Sequence, residues 1–98
     1  VNRDRKKPKA KISRPLSGQS ISADSYFVRG LYQDDIKIAR VELFVDGELH
    51  ATTEKSPFAL RLKMIKLKPG HHLLKTIAYD ADGNIGVSNV VKITKKKA

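Results

Sequence analysis

The feature that most constrains this chain is a strict alternation near its middle. Ala39, Val41, Leu43 and Val45 take turns with Arg40, Glu42, Phe44 and Asp46. A period of two sends successive side chains to opposite faces of an extended strand, whereas a helix repeats about every 3.6 residues. Asp46-Gly47 follows at once and supplies the positive φ of a two-residue hairpin, so Glu48–Thr53 is expected to return as the partner strand.

Turn chemistry bounds five more extended segments. Ala10–Arg14 stops at Pro15 and Ser17-Gly18, and Tyr26–Gln33 stops at Asp34-Asp35. Ser56-Pro57 precedes Phe58–Leu62, Pro69-Gly70 precedes His72–Tyr79, and Asp82-Gly83-Asn84 precedes Val87–Thr94. Short strands at this spacing, with no helical period between them, predict an all-β fold, a sandwich or barrel. Lys63–Lys68 fits either a bent strand or one helical turn. The register places Ile12, Val28, Val41, Leu43, Val45, Leu60, Leu62, Leu74, Ala78, Val91 and Ile93 inward, with Thr76 among them. Gly30, inside a strand, signals a close approach or a bulge.

Ninety-eight residues suit one domain. The expected organisation is a folded body over 10–94 between basic linkers at 1–9 and 95–98. The chain opens on Val1 with no signal peptide, which reads as a piece excised from a larger protein. Without cysteine there is no disulfide framework, thiolate zinc site or cysteine nucleophile. No apolar run approaches the roughly 20 residues that cross a bilayer.

The net charge of +10 sits mainly at the ends. Residues 1–11 and 95–98 hold nine basic residues against Asp4 alone, while residues 12–94 hold eleven against nine acids. Such runs are expected to be solvated, self-repelling linkers; the other reading is contact with an anionic surface. Nucleic acid is not expected as a partner, because the ends carry no aromatic platform for bases.

Catalysis has no constellation to rest on. His71 and His72 are adjacent on a strand and point to opposite faces, and His50 stands apart. Asp80-Ala81-Asp82-Gly83-Asn84 lacks the spacing of an EF-hand, and a looser calcium site would need Asp34 or Asp35 to approach Asp80 and Asp82. No cofactor or resident metal is expected. Phe44, Ile77, Tyr79 and Val90 should face outward on neighbouring strands, rimmed by Arg40, Lys75 and Lys92. An apolar, aromatic-centred patch with a cationic rim has the composition of an interface, and these seven residues form the candidate docking surface.

The run Asp34 to Gly47, with Val41-Glu42-Leu43-Phe44-Val45-Asp46-Gly47 at its end, resembles the bacterial Ig-like domains appended to secreted subtilisin-like proteases and glycoside hydrolases. Ser56-Pro57-Phe58, Pro69-Gly70-His71-His72-Leu73-Leu74 and Ala78 to Ser88 continue the resemblance in order, and Ile12, Pro15, Gly18 and Ile21 fit its opening. Tyr32, where a small residue is common, and Lys63–Lys68 depart from the pattern. The resemblance implies an immunoglobulin-like β-sandwich of about seven antiparallel strands. It further implies a monomeric, non-catalytic module of a secreted or cell-surface protein, serving as spacer or docking domain beside its neighbours in the polypeptide. The alternative is a module that attaches its parent to an anionic cell-wall polymer or polysaccharide.

Overall fold

Alternating segments leave one face of each strand apolar, and such faces are buried by stacking two sheets. The computed structural model describes residues 8–33, 37–55 and 58–96 and shows this arrangement. The strands are β1 (Lys9–Arg14), β2 (Ser20–Ile21), β3 (Tyr26–Gln33), β4 (Ile38–Val45), β5 (Glu48–Thr53), β6 (Leu60–Leu62), β7 (Gly70–Asp80), β8 (Ile85–Val87) and β9 (Val91–Lys95). A small sheet runs in the order β1-β3-β6; a large one runs β2-β9-β7-β4-β5, with β8 also on β7. Pairing is antiparallel except between β2 and β9.

The eleven side chains expected inside are all buried, as is Thr76. Ile21, Ile38 and Met64 join them. Ile38 replaces Ala39, which is exposed: the β4–β7 register slips between Ile38 and Arg40, and that bulge breaks the alternation at its first residue. Met64 opens a single 3-10 turn, Met64–Lys66, so the ambiguous segment is helical and drops one wholly buried side chain into the core.

Other boundaries differ from expectation. Phe58 precedes β6, has φ +60°, and sets its ring edge-on to Tyr32 at 6.0 Å. The expected strand Val87–Thr94 divides into β8 and β9. Ile77 pairs with Val87, but Leu74 pairs with Val91, so one extra residue must be accommodated between them. Ser88 occupies the gap: its N–H bonds to the Thr76 carbonyl and its Oγ accepts the Thr76 N–H at 2.8 Å. Val90 therefore lies between strands rather than on one. Asn89 accepts the Ile12 N–H through Oδ1 at 2.9 Å and ties the two sheets together.

Gly30 is a close approach. A Cβ there would meet the Lys11 carbonyl oxygen at 2.3 Å and the Tyr32 hydroxyl at 2.6 Å. The missing side chain makes room for Tyr32, whose hydroxyl reaches Thr76 Oγ1 at 3.3 Å and whose acidity burial weakens. This contact accounts for the unusual tyrosine.

The two ends of the described chain lie at opposite ends of the sandwich. Pro8 covers Gly86, next to the Asp80 end of β7, while Lys95 pairs with Gly70 at its other end. The eleven residues of β7 span about 35 Å.

Candidate functional site

Strand pairing assembles the candidate surface on the outer face of the large sheet. Arg40 stands opposite Tyr79, Glu42 opposite Ile77 and Phe44 opposite Lys75. Lys92, on β9, pairs with Leu73 rather than with the aromatic rows. Val90 is exposed on the link between β8 and β9.

Charge and ring are coupled within this face. The Arg40 guanidinium lies 4.2 Å from the Tyr79 ring centroid, and the Lys75 ammonium 5.7 Å from that of Phe44. The Tyr79 hydroxyl donates to Glu42 Oε1 at 2.7 Å, and Arg40 Nε lies 3.6 Å from Glu42 Oε2. The hydrogen bond to Glu42 makes the Tyr79 phenol harder to ionise than usual. Two of the three rim cations are thus engaged with rings, as expected for cations held against aromatic faces.

Several members of the face escaped the sequence reading. Leu49 pairs with Phe44, Val87 with Ile77 and Ile85 with Tyr79. Leu49 and Val87 are more than half exposed (57% and 53%) and extend the apolar patch on both sides. The Asp46-Gly47 hairpin carried the signal for Leu49, since it sets Val45 against Glu48. The β4–β5 register then slips beyond Phe44, which isolates His50. Glu42 joins Tyr79 to Arg40, and it was read only as an alternating polar residue.

Histidines and acids occupy structural positions. His72 Nδ1 lies 2.6 Å from Asp46 Oδ2, and Nε2 lies 2.6 Å from the Lys68 carbonyl oxygen. Both partners only accept, so the protonated ring, with both nitrogens donating, satisfies them together. Burial alone would lower the His72 pKa; the Lys68 carbonyl and Asp46 outweigh it and raise it. His50 does the reverse: Nε2 accepts the Lys63 N–H at 3.0 Å, and burial with Lys63 and Lys66 lowers its pKa. Asp80 turns inward on its own hairpin. Oδ1 accepts the Asp82 and Asn84 N–H groups at 2.9 Å each, and Oδ2 accepts Asn84 Nδ2 at 3.0 Å. Asp34 and Asp35 lie outside the described residues, and among the described residues no three His, Asp or Glu gather as a metal site.

The comparisons with known proteins agree with this architecture. Residues 8–75 match a family described as Bacterial Ig domain. A structure of the fibronectin(III)-like modules of CbhA from Clostridium thermocellum is 30% identical, with a TM-score of 0.78. The alignment covers 92% of this chain and 47% of that one. An endo-β-1,4-mannanase from Thermotoga petrophila is 12% identical, with a TM-score of 0.73 over 97% of this chain and 21% of its own. CopC from Methylosinus trichosporium OB3b, at 15% identity and TM-score 0.53, shares the fold over 89% of this chain and 93% of its own. The chain therefore spans about half of the first of these structures and about a fifth of the second. No curated protein matches it.

Proposed function

We propose that this chain, which belongs to the bacterial Ig domain family, serves as a non-catalytic spacer and docking module of a larger secreted or cell-surface protein, beside a hydrolase domain acting on polysaccharide. The observation that carries the reading is the placement of its ends. A chain that enters beside Gly86 and leaves beside Gly70 is a strut about 35 Å long, set by β7. The outer face built on Phe44, Ile77 and Tyr79 supplies the surface against which a neighbouring domain packs, with Arg40, Lys75 and Lys92 at its rim and Val90 beside it. Its apolar side chains exceed the scattered hydrophobes of an ordinary surface because they occupy consecutive pairs on four strands. The match to modules of CbhA and to part of a mannanase supports a polysaccharide-degrading parent. The basic ends act as connectors in this reading, shortened at each side because Lys9 belongs to β1 and Lys95 to β9.

Small-angle scattering on the parent polypeptide tests it. Phe44→Ser with Ile77→Ser should loosen the docked neighbour and increase the maximum dimension. An unchanged envelope would leave a spacer without a docking face. Catalytic turnover by the isolated 98-residue chain would remove the reading altogether.

A further inference from the structure

The charge on this molecule is segregated in a way that its composition hides. Strands β1, β3 and β6 together contain five basic residues and no acid. Alternation decides where they point, save at Arg14, where the β1–β3 register shifts after Ile12. Val28 and Leu60 face the core as a pair, so the neighbouring pair Phe27 and Arg61 faces out. Arg14 stands opposite Arg29, Lys11 opposite Leu31 and Lys9 opposite Gln33. All five cations are exposed. Among the described residues none of them is in an ion pair, in contrast to Arg40 on the other sheet.

The spacing is regular. Along β3, the rows at Phe27, Arg29, Leu31 and Gln33 each carry at least one cation. Rows two residues apart are separated by about 7 Å, so the face presents a line of positive charge over about 20 Å. A linear polymer matches this line if its charges repeat at the same distance. An extended peptide residue spans about 3.5 Å in three backbone bonds, so a six-bond repeat spans about 7 Å. The glycerol phosphate repeat has six such bonds between phosphorus atoms. So does a nucleotide, but single-stranded nucleic acid needs a ring for each base, and this face offers only Phe27. Phe27 and Leu31, half exposed or more (50% and 61%), offer apolar contact to the polyol carbons between phosphates.

We propose that the outer face of the small sheet binds a base-free phosphodiester polymer, a poly(glycerol phosphate) of the kind that builds bacterial walls. Arg61 in the Phe27 row and the pair Arg14 and Arg29 in the next row hold successive phosphates, for which a guanidinium is the better partner. Lys9 and Lys11 extend the line along β1. This surface lies opposite the docking face, so the proposal stands apart from the spacer reading.

The test is fluorescence anisotropy of the 98-residue chain with a labelled synthetic poly(glycerol phosphate) oligomer and an oligothymidylate with the same number of phosphates. Binding should be tighter to poly(glycerol phosphate) and should weaken steeply with salt. Arg29→Gln with Arg61→Gln should cost about tenfold in affinity and flatten the salt slope by about 1.4. Lys11→Gln with Arg14→Gln should act alike, and its melting midpoint guards against a folding artefact in either pair. Lys75→Gln with Lys92→Gln, the same charge change on the opposite sheet, should cost less than about twofold. Equal losses from both sheets, tighter binding of the oligothymidylate, or no binding at about 50 mM salt would each overturn the proposal.

Discussion

The two ends of the sandwich solve one problem in different ways. Each closes a hairpin, and each uses an aspartate to collect stray donors. At one end Asp80 is buried and satisfies its own loop, taking the N–H groups of Asp82 and Asn84 and the Asn84 amide. At the other end Asp46 is half exposed and reaches across to β7, accepting the Leu73 N–H at 2.9 Å and the His72 ring. The first cap collects the donors of its own hairpin. The second ties the β4–β5 hairpin to β7 through the titrating ring of His72. A carboxylate shared with an imidazole makes a cap that pH can weaken.

The largest effect should come from breaking the local cap. Asp80→Ala strands several N–H groups beside a buried position and should cost about 2–3 kcal/mol in denaturant unfolding. A loss below about 1 kcal/mol would mean that solvent satisfies the loop and that the contrast in burial has no energetic weight. Asp46→Ala removes a solvent-screened cap, and about 1–2 kcal/mol is expected at pH 6.

The sharper distinction lies in pH. The folded-state pKa of His72 is raised above its usual value of about 6.5, so its contribution is complete below that value and disappears as pH rises through the folded pKa. Asp46, lowered by its bond to His72 and by the Leu73 N–H, contributes above its usual value of about 3.8 and is lost in stronger acid. His50, whose pKa is lowered, works against His72: its contribution is present above about 6.5 and is lost as pH falls through its depressed pKa. Melting curves at pH 6 and pH 8 separate the two. His50→Gln should leave a protein that loses stability between pH 6 and pH 8, and His72→Gln should reverse the sign. If both variants show the same slope, the protonation states read from the hydrogen bonds are wrong. The smallest effect is expected for His71→Gln: its ring contacts Thr94 Oγ1 at the surface, and a change within about 0.5 kcal/mol is expected at either pH.

Much of this architecture was legible in the residues because pairing and burial follow simple periods. The hairpin at Asp46-Gly47 and the alternation from Val41 to Val45 located β4, β5 and their inward side chains. What the residues did not reveal were slips of one position. Bulges beside Ala39, His50 and Val90 each add a residue without changing local composition, so the alternation continues in sequence while the ladder shifts. β2 is two residues long and exists only because β9 is beside it, a long-range cause with no local mark. The charge of the small sheet was hidden for a related reason. Counting along the chain concentrated it in the ends, whereas pairing gathers Arg14, Arg29 and Arg61 onto one face. The outward aromatic rows of the large sheet were legible, but Glu42, which links Arg40 to Tyr79, became visible only when β4 lay against β7.

The parallel contact of β2 with β9 bears on how the module responds to being pulled. Gly18, Thr94 and Lys96 donate to Lys92, Gln19 and Ile21 across that seam, and the chain leaves toward opposite poles on its two sides. A stretching force between the poles runs along the seam and strains these bonds together, in shear, whereas an antiparallel hairpin pulled from its open end would give way one link at a time. Short as it is, β2 sits where a latch against such a pull would have to be.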